Sequence, residues 1–215
     1  MLAQIVLFDG FDLLDAIAPY EVLWAAGAAA GGALSVELVT VEGPRPVASG
    51  PGGVMIPAAA TLDLDRADLI VVPGAAGRIS GDGPDTIPAI LGRTMETGLP
   101  GVLEAALAKP RLTVATVCGG SLLLAMAGLL KGRPAVTHQM GMEVLGATGA
   151  IATAARVVDD GNLVTGGGVT SGIDVALHLV ERELGPRIAH AVEKLFEYER
   201  RGTAWKRTGL EPVGI

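Results

Sequence analysis

The sequence predicts an α/β fold, a three-layer sandwich in which helices cover both faces of a mostly parallel central sheet. Three observations predict it. Short, continuous apolar runs such as Leu69-Ile70-Val71-Val72 and Leu112 to Val117 read as strands buried on both faces. Segments rich in Ala and Leu alternate with them, as helices do in such sheets. Glycines follow several of the strands, at Asp9-Gly10, Pro73-Gly74 and Cys118-Gly119, at the end where open α/β sheets bind ligands.

The elements follow in order. Gln4 to Phe8 is a buried first strand. Asp15 to Ala30 is a helix stopped by Gly31-Gly32, and Ser35 to Val41 is a second strand. Gly43 to Pro57, dense in Gly and Pro, reads as turns and short extended pieces. The Leu69–Val72 strand follows, then a helix from Gly101 to Lys109. Leu112 to Val117 runs straight into Cys118, with helices expected over Gly120 to Leu130 and Met140 to Gly146. Ala152 to Val158 and Asn162 to Thr165 flank Asp159-Asp160-Gly161, a hairpin signal. Two helices, Thr170 to Leu184 and Pro186 to Arg200, close the order. No repeat, low-complexity stretch or interdomain linker interrupts it.

Composition bounds the function. The 215 residues suit one domain with a full core, half hydrophobic and 18% charged. Aromatic residues make up only 3%, so aliphatic side chains must build the interior. A net charge of −7 argues against nucleic acid, and no basic run offers a grip on a membrane surface. No apolar run is long enough for a membrane span. Asp9, Asp12 and Asp15 stand where a signal peptide would be basic and then apolar. A lone cysteine makes no internal disulfide, which fits a reducing compartment, so a cytoplasmic location is expected. No metal cluster, Walker loop or dinucleotide fingerprint is present, and no metal or cofactor is expected.

The strongest chemical signal is Thr116-Val117-Cys118-Gly119-Gly120-Ser121. A buried strand ends on a cysteine, two glycines follow, and a helix begins, which is the layout of a nucleophile elbow with sulfur in place of a serine oxygen. The turn predicts backbone strain at Cys118, and the helix N-terminus predicts a lowered thiol pKa. The alternative is an inert buried cysteine. Pro73-Gly74-Ala75-Ala76-Gly77 reads either as a plain turn or as a source of oxyanion-binding N–H groups. Asp15, after the first strand, reads by spacing as a helix N-cap; its functional alternative is a carboxyl that moves a proton at the thiol, a role for which Glu21 competes. His138 either lines the site or belongs to a loop, while His178 and His190 fall inside the closing helices. Gly166-Gly167-Gly168-Val169 lets a loop border the pocket. Beyond it, Thr170 or Ser171 reads as an N-cap answered by Asp174.

Together these segments resemble the ThiJ/PfpI superfamily, and within it the isonitrile hydratases and the amidase-like domains of AraC-type regulators. The matching residues are Leu14-Asp15 with Pro19, Asp68 to Gly74, Val117-Cys118, Ala127 to Leu130, Gly132-Arg133, Thr137-His138, and Gly161 to Gly168 with Gly172-Ile173-Asp174. The resemblance implies the flavodoxin-like, class I glutamine amidotransferase-like fold over residues 1–200, with 201–215 a polar tail. It implies that Cys118 attacks the terminal carbon of an isonitrile while Asp15 manages the proton, water then giving an N-substituted formamide. Gly74, Ala75 and Gly119 would supply backbone donors, and His138, Gly168 and Val169 would line the pocket. It also implies a small-molecule substrate and a homodimer. The sequence departs from that pattern at Gly119, where isonitrile hydratases usually carry Thr; at Gln139, where Trp is common; and at Ala75, which replaces a frequent Gly. The residue after Cys118 is not His, so proteolysis is not expected. Two other readings stand beside the hydratase: a non-catalytic redox-sensing or ligand-binding protein, and a glyoxalase-like or deglycase-like enzyme.

Overall fold

The computed structural model describes residues 1–213. Its first half runs β1 (Leu2–Val6), α1 (Leu13–Ala29), β2 (Ser35–Thr40), β3 (Arg45–Ala48), β4 (Met55–Ala58), β5 (Ala60–Thr61), β6 (Leu69–Val72), α2 (Ile87–Met95) and α3 (Leu99–Leu107). The second half runs β7 (Thr113–Thr116), α4 (Gly120–Met126), β8 (Pro134–Ala135), α5 (Met142–Ala147), β9 (Ile151–Ala152), β10 (Val157–Asp159), β11 (Leu163–Gly166), α6 (Ser171–Leu184), α7 (Pro186–Phe196) and β12 (Trp205–Lys206).

Eight strands make the central sheet, in the order β12-β10-β11-β7-β6-β1-β2-β5. Every pairing is parallel except β10 with β11. All four residues of β6 are buried, as are Val114, Ala115 and Thr116 of β7, because helices cover both faces. Helices α1, α6 and α7 pack on one another, while α3 and α4 pack together with α2 and α5 as their neighbours. These are the two outer layers of the sandwich. Pairs β3–β4 and β8–β9 form separate two-stranded ribbons.

Several elements differ from the expected ones. Helix α2 is not marked by a long apolar period; Thr86 caps it through the Ala89 N–H, and Pro88 lies in its first turn. Helix α4 stops at Met126, short of Leu130, because Gly128 turns to φ +76°. The expected strand from Ala152 to Val158 divides into β9 and β10, with residues 153–156 between them. Helix α7 ends at Phe196, after which Glu197 takes a left-handed conformation. The tail contributes β12, which adds an edge strand to the sheet at Val158 and Asp159.

Candidate active site

The sheet order sets the site. Strands β7, β6 and β1 are neighbours, so the segments that follow them, Cys118-Gly119, Pro73-Gly74 and Asp9-Gly10, meet at one end of the sheet. Gly74 occupies a tight position against both the elbow and α1. A Cβ there would lie 2.6 Å from the Gly119 nitrogen and 2.9 Å from Asp15 Oδ2. Glycine is what allows the acid and the elbow to approach the same backbone.

Cys118 sits at φ +54°, and among the described residues only one other non-glycine, Glu197, has a positive φ. The left-handed conformation costs a side-chain-bearing residue on the order of 1–3 kcal/mol, so surrounding bonds must hold it. The Cys118 N–H donates to the Gly166 carbonyl at 3.1 Å, and the Cys118 carbonyl accepts from the Thr137 hydroxyl at 2.7 Å. The following Gly120 lies so close to β6 that a Cβ would fall 2.2 Å from the Val72 carbonyl oxygen. The expected strain is therefore present, and it falls on the cysteine itself. Gly119 is in ordinary right-handed backbone.

Asp15 is fully buried in the first turn of α1. It is not the cap of that helix. Asp12 is, accepting from the Leu14 and Asp15 N–H groups at 3.0 and 3.4 Å. That frees the Asp15 side chain to turn inward, where Oδ2 accepts the Gly74 N–H at 2.9 Å. Oδ1 is buried without a hydrogen-bond partner, and the Cys118 thiol is near enough to the carboxyl to lower its pKa. Catalytic hydrogen bonds are often loose in a resting site and tighten with substrate bound. Burial, and then the charge of Asp12, push the Asp15 carboxyl well above the usual range; the Gly74 N–H and the thiol pull the other way. Glu21 is exposed on the same helix and does not reach the elbow.

The thiol corrects the sequence expectation. Its pKa is raised, by burial first and by the Asp15 charge second, while the Gly119 N–H opposes both. Only 7% of Cys118 is exposed, and α4 is a seven-residue helix, so its dipole does not outweigh desolvation beside a carboxyl. Both groups are thus driven toward their protonated forms, and the proton stays in the pair.

The Gly119 N–H faces the sulfur, and the Ala75 nitrogen would lie 3.7 Å from a Cβ on Gly119, so both donors border the same space. His138 is half-buried and caps the turn at Gln139–Gly141 by accepting the Met140 N–H on Nδ1 at 3.2 Å. Its ring stands against Gly168, 3.5 Å from where a Cβ would be. Gly168 and Val169 are also half-buried. His178 pairs with the buried Asp159 at 2.8 Å, and His190 is exposed. The expected capping box at α6 is absent: Thr170 makes no side-chain cap, and the Ser171 hydroxyl is buried without a partner. Asp174 instead binds Arg156 Nε at 2.8 Å, the Tyr198 hydroxyl at 2.9 Å and the Arg201 N–H at 2.9 Å. Spacing could not reveal this, because two of the three partners come from the chain beyond α7.

A cavity of about 990 Å³ lies elsewhere, lined by His178, Arg182, Lys194, Tyr198, Arg200 and Lys206 among others. Of its carboxylates, Glu181 and Glu193 are already paired with Arg200. The elbow holds the strained thiol and the orphan carboxyl oxygen, so the chemistry favours the elbow.

Fold and site together define a three-layer α/β protein with a cysteine at a strand-to-helix elbow. The family model for the DJ-1/PfpI family matches residues 1–182, and the chain belongs to that family. It is 37% identical over 193 residues to isonitrile hydratase of Pseudomonas putida, covering 90% of this chain and 76% of that protein. Protein DJ-1 homolog A of Arabidopsis thaliana is 29% identical over 195 residues, 89% of this chain but 45% of that protein's length. The crystal structure of Drosophila melanogaster DJ-1beta superposes with a TM-score of 0.75 at 21% identity, covering 92% and 98% of the two chains, a likeness of fold. Among the described residues no helix is long and apolar enough to cross a membrane.

Proposed function

We propose that the chain is an isonitrile hydratase-like enzyme, with Cys118 as nucleophile and Asp15 as the proton carrier. The observation that carries this reading is the buried pair itself, a thiol and a carboxyl both held toward their neutral forms. A stable thiolate is not what an isonitrile requires. Its terminal carbon must gain both sulfur and hydrogen, because the formamide product bears a hydrogen on that carbon. A site that keeps the proton beside the sulfur suits this addition.

The steps balance as follows. The neutral Asp15 carboxyl gives its proton to the terminal carbon of R–NC as sulfur bonds to that carbon, and takes the thiol proton in exchange, giving R–N=CH–S–Cys118. Water adds to the carbon and the nitrogen gains a proton. The carbon–sulfur bond then breaks, releasing R–NH–CHO and restoring the thiol. The Gly119 and Ala75 N–H groups are placed to stabilise the oxygen that forms on the way. His138, Gly168 and Val169 wall the pocket. The substrate is a small molecule, nucleic acid and membrane play no part, and the homodimer implied by the resemblance belongs to the same proposal.

A redox sensor needs an accessible thiol of low pKa. Burial and the raised pKa of Cys118 weigh against that reading, and no observation favours the glyoxalase-like one. The test is formamide production from a simple alkyl isonitrile. The parent is expected to turn over, and Cys118→Ala to be inactive with its fold intact. Equal turnover by parent and Cys118→Ala contradicts the proposal, as does an inactive parent whose thiol still alkylates.

A further inference from the structure

Beyond the pair that carries the proposed chemistry lies a chain of buried hydroxyls that ends on the nucleophile. The Thr116 and Ser121 hydroxyls meet at 2.6 Å, and Ser121 Oγ donates to the Val136 carbonyl at 2.7 Å. The Val136 N–H donates to Thr165 Oγ1 at 2.9 Å. Val136 is therefore pinned through both its backbone groups, from Ser121 of α4 and Thr165 of β11, with Thr116 of β7 holding Ser121 in turn. The next residue, Thr137, is 1% exposed and directs its hydroxyl to the Cys118 carbonyl at 2.7 Å. A buried serine and two buried threonines thus hold one short segment against the elbow.

The Cys118 carbonyl and the Gly119 N–H belong to one planar trans peptide and point in opposite directions. A hydroxyl that fixes the carbonyl fixes the N–H as well. It also polarises the peptide, since a hydrogen bond accepted at the carbonyl strengthens the N–H as a donor. The same bond helps retain Cys118 at φ +54°. We propose that Thr137 is a positioning residue, whose hydroxyl locks the Cys118–Gly119 peptide so that the Gly119 N–H faces the sulfur and the charge that forms beside it. This rests on the reading of Cys118 as the nucleophile, but not on the identity of its substrate.

The side chain offers a clean separation of roles. The Thr137 methyl packs toward Gly141, where a Cβ would sit 3.1 Å from it. Thr137→Val keeps that methyl and removes the hydroxyl. Thr137→Ser keeps the hydroxyl and removes the methyl. The experiment follows the rate of Cys118 alkylation by iodoacetamide across pH in the parent and both variants, with folding checked by circular dichroism. The expected result is a Thr137→Val profile displaced to higher pH by about one unit, a roughly tenfold slower reaction at fixed pH, from loss of one buried hydrogen bond acting through its peptide. The Thr137→Ser profile is expected to match the parent. A valine profile that superimposes on the parent overturns the proposal. So does a serine profile displaced as far as the valine one, which would assign the effect to packing. Should the valine variant fail to fold, Thr137→Ala against Thr137→Ser carries the same comparison. A parent thiol that resists alkylation at every pH overturns the nucleophile reading itself, an outcome distinct from failure at Thr137.

Discussion

Asp15 is a carboxyl held where water cannot reach it, and its folded pKa is raised. The sign of its linkage follows. A raised acid contributes its stability below the unfolded value of about 3.9 and loses it as pH rises through the folded value. At neutral pH Asp15 therefore costs stability. Asp15→Asn keeps an oxygen for the Gly74 N–H and removes the charge, so a thermal melt at neutral pH is expected to show a gain of about 1 kcal/mol while turnover is lost. A second prediction concerns Gly119. Its backbone is right-handed, and a Cβ would meet only Gly74 Cα at 3.6 Å and the Ala75 nitrogen at 3.7 Å, ordinary contacts. Gly119→Thr is thus expected to fold with a melting temperature close to the parent's. If the hydroxyl common to isonitrile hydratases at this position helps move a proton, formamide production should rise. Cys118 as the strained residue was legible in the sequence, because a strand running into Cys-Gly-Gly leaves little else for the chain to do. The direction of its pKa was not. Burial and the nearness of Asp15 come from β6 and α1, which sequence spacing does not bring to the elbow.

At the scale of elements, the strands under the site were the most legible part. Leu69–Val72 appears in the structure with the bounds its apolar run suggests, because a strand covered on both faces favours apolar side chains throughout. The cap of α1 was misplaced by one turn, since Asp12 and Asp15 are chemically identical and only the contact with Gly74 separates them. The hairpin partner β10 carries a different burden. Asp159 is 6% exposed and takes His178 at 2.8 Å, the Gly161 N–H at 2.9 Å, and the cations Arg182 and Lys206. Burial pushes its carboxyl up, but His178, the Gly161 N–H and Arg182 outweigh burial and hold it well below the usual range. Stability from a depressed acid is complete above the unfolded value of about 3.9 and is lost as pH falls through the folded value. Asp159→Asn is expected to cost about 3 kcal/mol at neutral pH and to flatten the acid side of the stability curve. Denaturant titration at several pH values checks both.

The whole molecule joins its tail to the body at three carboxylates, one of them Asp160, which pairs with Arg207. Asp174 accepts the Arg201 N–H, and Asp159 receives Lys206 where β12 pairs with β10. The sequence of residues 201–215 shows no periodicity, and a two-residue edge strand leaves no pattern to read, so this attachment was illegible. Removing residues 201–215 is expected to lower stability by about 1–2 kcal/mol, from two buried acids losing a partner each, while iodoacetamide reactivity at Cys118 stays unchanged. The site depends on β1, β6, β7 and β11, whereas β12 pairs with β10 at the sheet edge. The proposed chemistry turns on one coupling, the nearness of the Asp15 carboxyl to the Cys118 thiol. The most direct test is to titrate the Cys118 thiolate by its ultraviolet absorbance in the parent and in Asp15→Asn. The account predicts that the variant forms thiolate at lower pH than the parent, because a charge that opposes ionisation has been removed. A titration that is unmoved, or moved to higher pH, would contradict it.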